Sequence, residues 1–295
     1  MKRGKIARPS PIATMDYYLD QNVYDHFLLE LGLSVDEIAA VMKDRKIRLI
    51  LSEHNIHETV SCWKSGATDK IKRGQKILQL QLDLQPVRFL LPTPLLIKYE
   101  IAPLIGNYVP GPFLDSKSEA LTRADLGSLA SGQLQKGHSV RLENGWSKKQ
   151  SETKHYEELR QQGFFGQLHS VEPFEAFIAK NRKAVKYLAE HTVSRHLNEL
   201  GERERKKTAK IASSRLRKCP ALRAAVRANM FLAYRLSRRE KSRHDLWDDL
   251  CHSISAVYSN VFVTGDVPLS KRLLDINPQL IVKDHNQFAK DLGIL

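Results

Sequence analysis

The chain has 295 residues, 42% hydrophobic and 27% charged, enough apolar material for one large domain or two and too much for global disorder. No apolar run approaches the roughly 20 residues of a membrane helix, and the basic start MKRGKIARPSPIA lacks the apolar stretch of a secretory signal. The net charge of +14 is concentrated: residues 202–243 carry 15 Lys and Arg against 3 Glu, and residues 1–13 carry four basic residues and no acid, so a near-neutral body bears two basic attachments. That design points to a polyanionic partner, nucleic acid first, with a solvated helix surface as the alternative.

In chain order, residues 15–19 form a β-rich run ending at Asp20, with Asn22 close behind. Residues 23–29 have a helical pattern closed near Gly32. Ser34-Val35-Asp36-Glu37 is a capping box that opens a helix through about Lys43. Residues 48–52 are the next strand, 53–63 a helix carrying Glu58, 67–84 another helix, and 87–91 a third strand stopped by Pro92 and Pro94. Residues 100–150 are polar, rich in Pro and Gly, and only weakly helical in pattern; from Ser151 to about 240 the chain reads as helix after helix.

The stretch HDLWDDLCHSISAVYSNVFVTGD, residues 244–266, is the most informative. It reads as a helix, a break at Ser259-Asn260, and a strand running into Thr264-Gly265-Asp266. Asp245, Asp249, His252 and Ala256 share one helical stripe. Trp247, Leu250, Ile254 and Val257 share another, which is the one expected to be buried. Helix over 268–274, strand over 280–282 and helix over 286–292 close the chain. Strands separated by helices at both ends predict an α/β fold with three layers, a mainly parallel sheet between helices. The expected organisation is a basic tail (1–13), an α/β core (14–91 and 241–295) and a mostly α-helical basic insertion (92–240). The three cysteines, Cys62, Cys219 and Cys251, lack CxxC spacing and read as reduced, mostly buried thiols, which fits a cytoplasmic location.

Asp20 ends one strand and Asp266 follows another, and carboxyl ends of adjacent parallel strands share an edge. Glu58 and Asp249 lie one or two turns into helices beside them. Each alone has an ordinary reading: a cap for Asp266, a solvated helix residue for Glu58, and helix-dipole stabilisation for Asp245, Asp248 and Asp249. His252 could simply donate to a backbone carbonyl. Together, four acids repel one another unless a cation sits among them. Oxygen donors favour Mg²⁺ or Mn²⁺, and such an ion suits phosphodiester hydrolysis. Asn22 and Thr264 are placed to steady the acids or a water. Arg215, Arg217, Lys218, Arg223 and Arg227 are the candidate grip on nucleic-acid phosphates.

LDQNVY (Leu19–Tyr24), residues 50–58 and DLCHSISAVYSNVFVTGD (Asp249–Asp266) resemble the three signature segments of PIN-domain nucleases. The resemblance covers about 130 positions and leaves the helical interruption without a role. It implies a Rossmann-like α/β/α fold and metal-dependent cleavage of RNA, favoured over DNA, with a DNA-directed nuclease of related fold as a further option. Asp20, Glu58, Asp249 and Asp266 then serve as catalytic, metal-holding acids, with Asn22, Thr264, Asp245 and His252 in support; Asp249-x-x-His252 resembles a bacterial variant of the helix. A toxin-like, defence or RNA-processing role would follow, with a small antitoxin or regulatory protein as a further partner. The alternative is an inactive nuclease-like core whose basic insert binds nucleic acid.

Overall fold

The computed structural model describes residues 14–29, 34–84, 87–107, 110–134, 136–162, 172–241 and 246–294. The basic tail 1–13 and Asp245 lie outside them. The first half of the core runs β1 (Met15–Leu19), α1 (Gln21–Leu29), α2 (Val35–Asp44), β2 (Ile47–Leu51), α3 (Glu53–Val60), α4 (Thr68–Asp83) and β3 (Val87–Phe89). Then come α5 (Thr93–Ile101), α6 (Ser116–Ala130), α7 (Lys136–Gln162), α8 (Phe174–Lys180), α9 (Arg182–His196), α10 (Glu202–Ser214) and α11 (Pro220–Ser237). The chain closes with α12 (Leu246–Ser255), β4 (Val261–Val263), α13 (Val267–Ile276), β5 (Ile281–Lys283) and α14 (His285–Leu292).

The five strands form one sheet in the order β3-β2-β1-β4-β5, every pairing parallel. The sequence alternation at both ends of the chain is therefore the observed one, and the expected capping box at Ser34 and Glu37 forms. Strand side chains alternate between two buried faces. Tyr17, Leu19, Leu49, Leu51, Val261 and Val263 pack under α2, α4, α6 and α14. Tyr18, Ile50 and Phe262 pack on the opposite face against α5, α11 and α13. The result is a three-layer α/β fold.

The helical block over 92–240 is only partly an outer addition. Leu96 of α5 and Ala221 of α11 belong to the core on one sheet face, while Leu126 and Leu129 of α6 belong to the other. Helices α7 to α10 build the two outer cores, both closed by α11. Helix α12 is enclosed on two sides, which revises its expected burial. Asp249, His252 and Ala256 are buried, while Trp247, Ile254 and Val257 are half-buried. None of the three cysteines is in a disulfide; Cys219 is buried and the other two are half-buried.

Among the described residues, no helix is long and apolar enough to cross a membrane.

Candidate metal centre

The chain adds β2 and β3 to one side of β1 and β4 and β5 to the other, so the strand order reverses between β1 and β4. In open parallel sheets this switch point, at the carboxyl ends of the strands, is where a ligand crevice opens. Here it holds a cleft of about 400 Å³ lined by Asp20, Asn22, Glu58, Asp249, His252 and Asp266 among others. All four acids singled out in the sequence thus border one space. Their roles within it differ.

Asp20 leaves β1 with its backbone N–H on Val263 of β4, so the strand pairing itself fixes it. Its carboxylate is only 5% exposed. It accepts from the Gln21 amide at 2.8 Å, from Asn22 Nδ2 at 2.5 Å and from Thr264 Oγ1 at 2.7 Å. Burial raises its pKa and the Glu58 charge raises it further, against the opposing pull of His252 and these hydrogen bonds. Asn22 and Thr264 therefore do steady an acid. Asn22 is held in turn: its Oδ1 accepts from Gly265 N and from His285 Nε2, both at 3.0 Å. An Oδ1 that accepts from a backbone amide requires the His285 nitrogen to donate, and this fixes Nδ2 on Asp20.

Glu58 reaches across from α3. Its Oε2 lies 3.2 Å from His252 Nε2, and Asp20, Glu58 and His252 each offer a donor atom within 4.8 Å of the others. His252 is 1% exposed, with Nδ1 2.8 Å from the Tyr18 hydroxyl, which is 2.5 Å from Ser52 Oγ. Ser52 donates onward to Asn55 Oδ1 at 3.2 Å, and Asn55 Nδ2 ends the chain on the Leu19 carbonyl. The Ser52 proton is committed to Asn55, so Tyr18 donates to Ser52 and His252 Nδ1–H donates to Tyr18. Nε2 is left for the cleft. Facing the Glu58 carboxylate, Nε2 is stable either carrying a proton or coordinated to a cation. Without a cation the proton wins: burial pulls the imidazole pKa down, but the hydrogen bond and charge of Glu58, with Asp20 behind it, hold it up at about 9. Burial and the His252 charge push neighbouring His54 the other way, to about 4.

Asp249 and Asp266 do not join this trio of donors. Asp249 forms a buried ion pair with Arg272 of α13, both side chains about nine-tenths covered. Asp266 is exposed and caps α13, its Oδ1 accepting from Leu269 N at 2.9 Å, which is the ordinary reading of an acid after a strand. The donor atoms that converge are those of two carboxylates and an imidazole, with Asp249 and Asp266 on the rim. Such a set fits a divalent ion: its donor atoms lie close enough together to share one, a cation would relieve the repulsion between the buried Asp20 and half-buried Glu58 carboxylates, and His252 carries the second-side hydrogen bond typical of ligating histidines. A nitrogen donor also widens the choice from hard ions toward other first-row metals.

The expected phosphate grip is dispersed. Arg227 is used structurally: it donates to the carbonyls of Ile276 (2.5 Å) and Asp275 (2.6 Å) and pairs with Glu175. Arg223 is half-buried beside Gln279. Arg215, Arg217 and Lys218 are exposed, but they precede the start of α11, where Ala221 N and Leu222 N donate to Glu100 and Glu100 accepts from Tyr258. Tyr258 lies three residues before the start of β4, so this patch lies toward the amino edge of the sheet, opposite the cleft. Residues that sequence reasoning missed are Tyr18, Arg272 and His285, together with Lys70 and Arg73 of α4, which also line the cleft. Asp248 pairs with Lys149 of α7 at the rim.

No protein-family model matches the sequence, and no curated protein or solved structure matches it either.

Proposed function

We propose that this protein is a divalent-metal-dependent nuclease of the PIN-domain type that hydrolyses RNA phosphodiester bonds, with Mg²⁺ or Mn²⁺ as its ion. The observation that carries this reading is the convergence of Asp20, Glu58 and His252 Nε2 to within 4.8 Å in a cleft at the β1–β4 switch point. The strand order 3-2-1-4-5 supports the Rossmann-like description. When bound, the ion lowers the pKa of an attacking water and offsets charge on the leaving oxygen. Asp20, Glu58 and His252 hold it. Thr264 and Asn22 fix the Asp20 carboxylate, the Tyr18–Ser52–Asn55 chain keeps the proton on Nδ1 and Nε2 toward the ion, and Asp266 keeps the opening acidic. The test is cleavage of RNA in Mg²⁺ or Mn²⁺ by wild type, Asp20→Asn and Asp266→Asn. Equal rates in all three would end the proposal.

A second reading, a nucleic-acid-binding protein without turnover, is favoured by one ion pair: Arg272 neutralises Asp249, an acid the resemblance assigns to the metal. Binding measured in EDTA beside cleavage measured in Mg²⁺ separates the two. Salt-dependent binding with no product in any divalent ion selects the second.

A further inference from the structure

The cleft is electrically two-sided. Asp20, Asp25, Glu58, Asp248, Asp249 and Asp266 line it from α1, α3, α12 and the turns after β1 and β4, Asp248 and Asp249 being paired with Lys149 and Arg272. Its Lys and Arg, among the described residues, are Lys70 and Arg73, both from α4 and one turn apart. A phosphodiester entering an acid-lined space meets repulsion that an ion at Asp20, Glu58 and His252 offsets only at the scissile phosphate. The flanking phosphates need cations of their own. Resting on the nuclease reading, the geometry points to Lys70 and Arg73 as the wall that takes the phosphates of a single-stranded nucleic acid beside the scissile bond.

Three features bring this wall to the ion. Gly74 follows Arg73, and a Cβ there would run into Cys62 Sγ and come within 3.1 Å of the Thr59 carbonyl, so the missing side chain is what lets α4 close against the end of α3. That approach sets Lys70 and Arg73 across the cleft from Glu58 on the same α3. Arg73 is paired with Asp25 at 2.6 Å, but its side chain is 55% exposed. Its Nε and Nη2 donate to the two oxygens of the mostly buried Asp25, at 2.7 and 2.6 Å, which holds the guanidinium at the cleft with its Nη1 donors left to meet a phosphate. Lys70 is fully on the surface and serves as a point charge. Arg215, Arg217, Lys218 and Arg227 do not take this place, because the first three sit at the far edge of the sheet and Arg227 is committed to α13. A cleft of about 400 Å³ also lies near the small end of ligand sites and admits a strand rather than a duplex.

The experiment is fluorescence anisotropy of a short fluorescein-labelled single-stranded RNA with the full chain in EDTA, over roughly 50 to 200 mM salt. Lys70→Ala/Arg73→Ala should weaken binding for every sequence and lower the log–log salt slope by about 1.4, or about 0.7 for each phosphate of a single strand that is no longer neutralised. Lys70→Arg should retain wild-type affinity. Arg215→Ala/Arg217→Ala/Lys218→Ala should leave the slope as it is. Mn²⁺ binding by calorimetry and the melting curve should be unchanged in the double variant, showing that the metal centre and the fold are intact. An unchanged slope in the double variant overturns the assignment while leaving the nuclease reading standing. A wild type that binds and cleaves no nucleic acid removes both.

Discussion

Asp20 and Glu100 are buried carboxylates at opposite edges of the same sheet, 5% and 7% exposed. Each accepts three hydrogen bonds, and burial raises the pKa of both. Their surroundings make them different objects. Glu100 receives Ala221 N at 2.6 Å and Leu222 N at 2.9 Å from the first turn of α11, and Tyr258 OH at 2.6 Å. Its charge faces the positive end of an 18-residue helix and is spent there. Asp20 receives comparable donors, yet it faces Glu58 and a cleft with further acids on its rim. One carboxylate ties a helix to the fold; the other stands beside a second carboxylate and the His252 imidazole, with donor atoms turned toward a cleft.

Exchanging the two behaviours by mutation breaks or sharpens this contrast. The largest effect is expected at Asp20→Asn. Cleavage and Mn²⁺ affinity should fall on the order of 100-fold or more, beyond the range of residues that merely orient a ligand. Metal-free melting temperature should hold or rise, since a raised carboxylate next to Glu58 destabilises. Wild type should gain about 2.7 kcal/mol in Mn²⁺ at roughly 100 times its Kd, and the variant should gain none. Glu100→Ala should do the reverse, costing about 2–4 kcal/mol in a denaturant titration because buried donors lose their acceptor. Its Mn²⁺ affinity at low temperature should match wild type.

Next comes His285, which reaches Asp20 only through Asn22. His285→Phe keeps the ring stacked on His26 (centroids 4.6 Å apart) but loses the donor to Asn22, and should lower Mn²⁺ affinity and kcat about 10- to 100-fold with KM little changed. His285→Gln restores a donor and should recover most of the loss. Failure of that rescue would reduce His285 to packing under Gly265, where a Cβ would come within 2.7 Å of the ring.

The smallest effect concerns pH. The folded Glu100 pKa exceeds the usual 4.5, so its favourable contribution to stability is complete below that value and is lost as pH rises through the raised one. Glu100→Gln should flatten that segment of the stability curve. A variant curve parallel to wild type would show that Glu100 does not titrate there.

The contrast also explains what the sequence could reveal. Strand ends are local, so Asp20 and Asp266 could be placed at one sheet edge from apolar runs and their stops, and Ser34 announced α2. Helix α7 lacks a continuous apolar stripe, so residues 136–150 gave only a weak pattern and its helical character was legible from Ser151 on. The partners of the acids were less visible. Arg272 meets Asp249, and Arg227 meets the end of α13, because of the angles at which helices cross, and no periodicity encodes those. His252 appeared as a supporting residue because its strength as a donor depends on Tyr18, a strand residue more than 230 positions away.

The central position of β1 has a consequence for synthesis. Its partner β2 follows soon after, but Thr264, which donates to Asp20, lies 244 residues downstream. At about 5–20 residues per second, that interval lasts on the order of 10 to 50 s. Throughout it, one side of β1 is an unpaired template for other chains, and the carboxylates of Asp20 and Glu58 wait without their imidazole. The pocket is thus completed only once His252 and Thr264 have been made, so a nascent chain that has not reached them carries the acidic half of its chemistry without the means to use it.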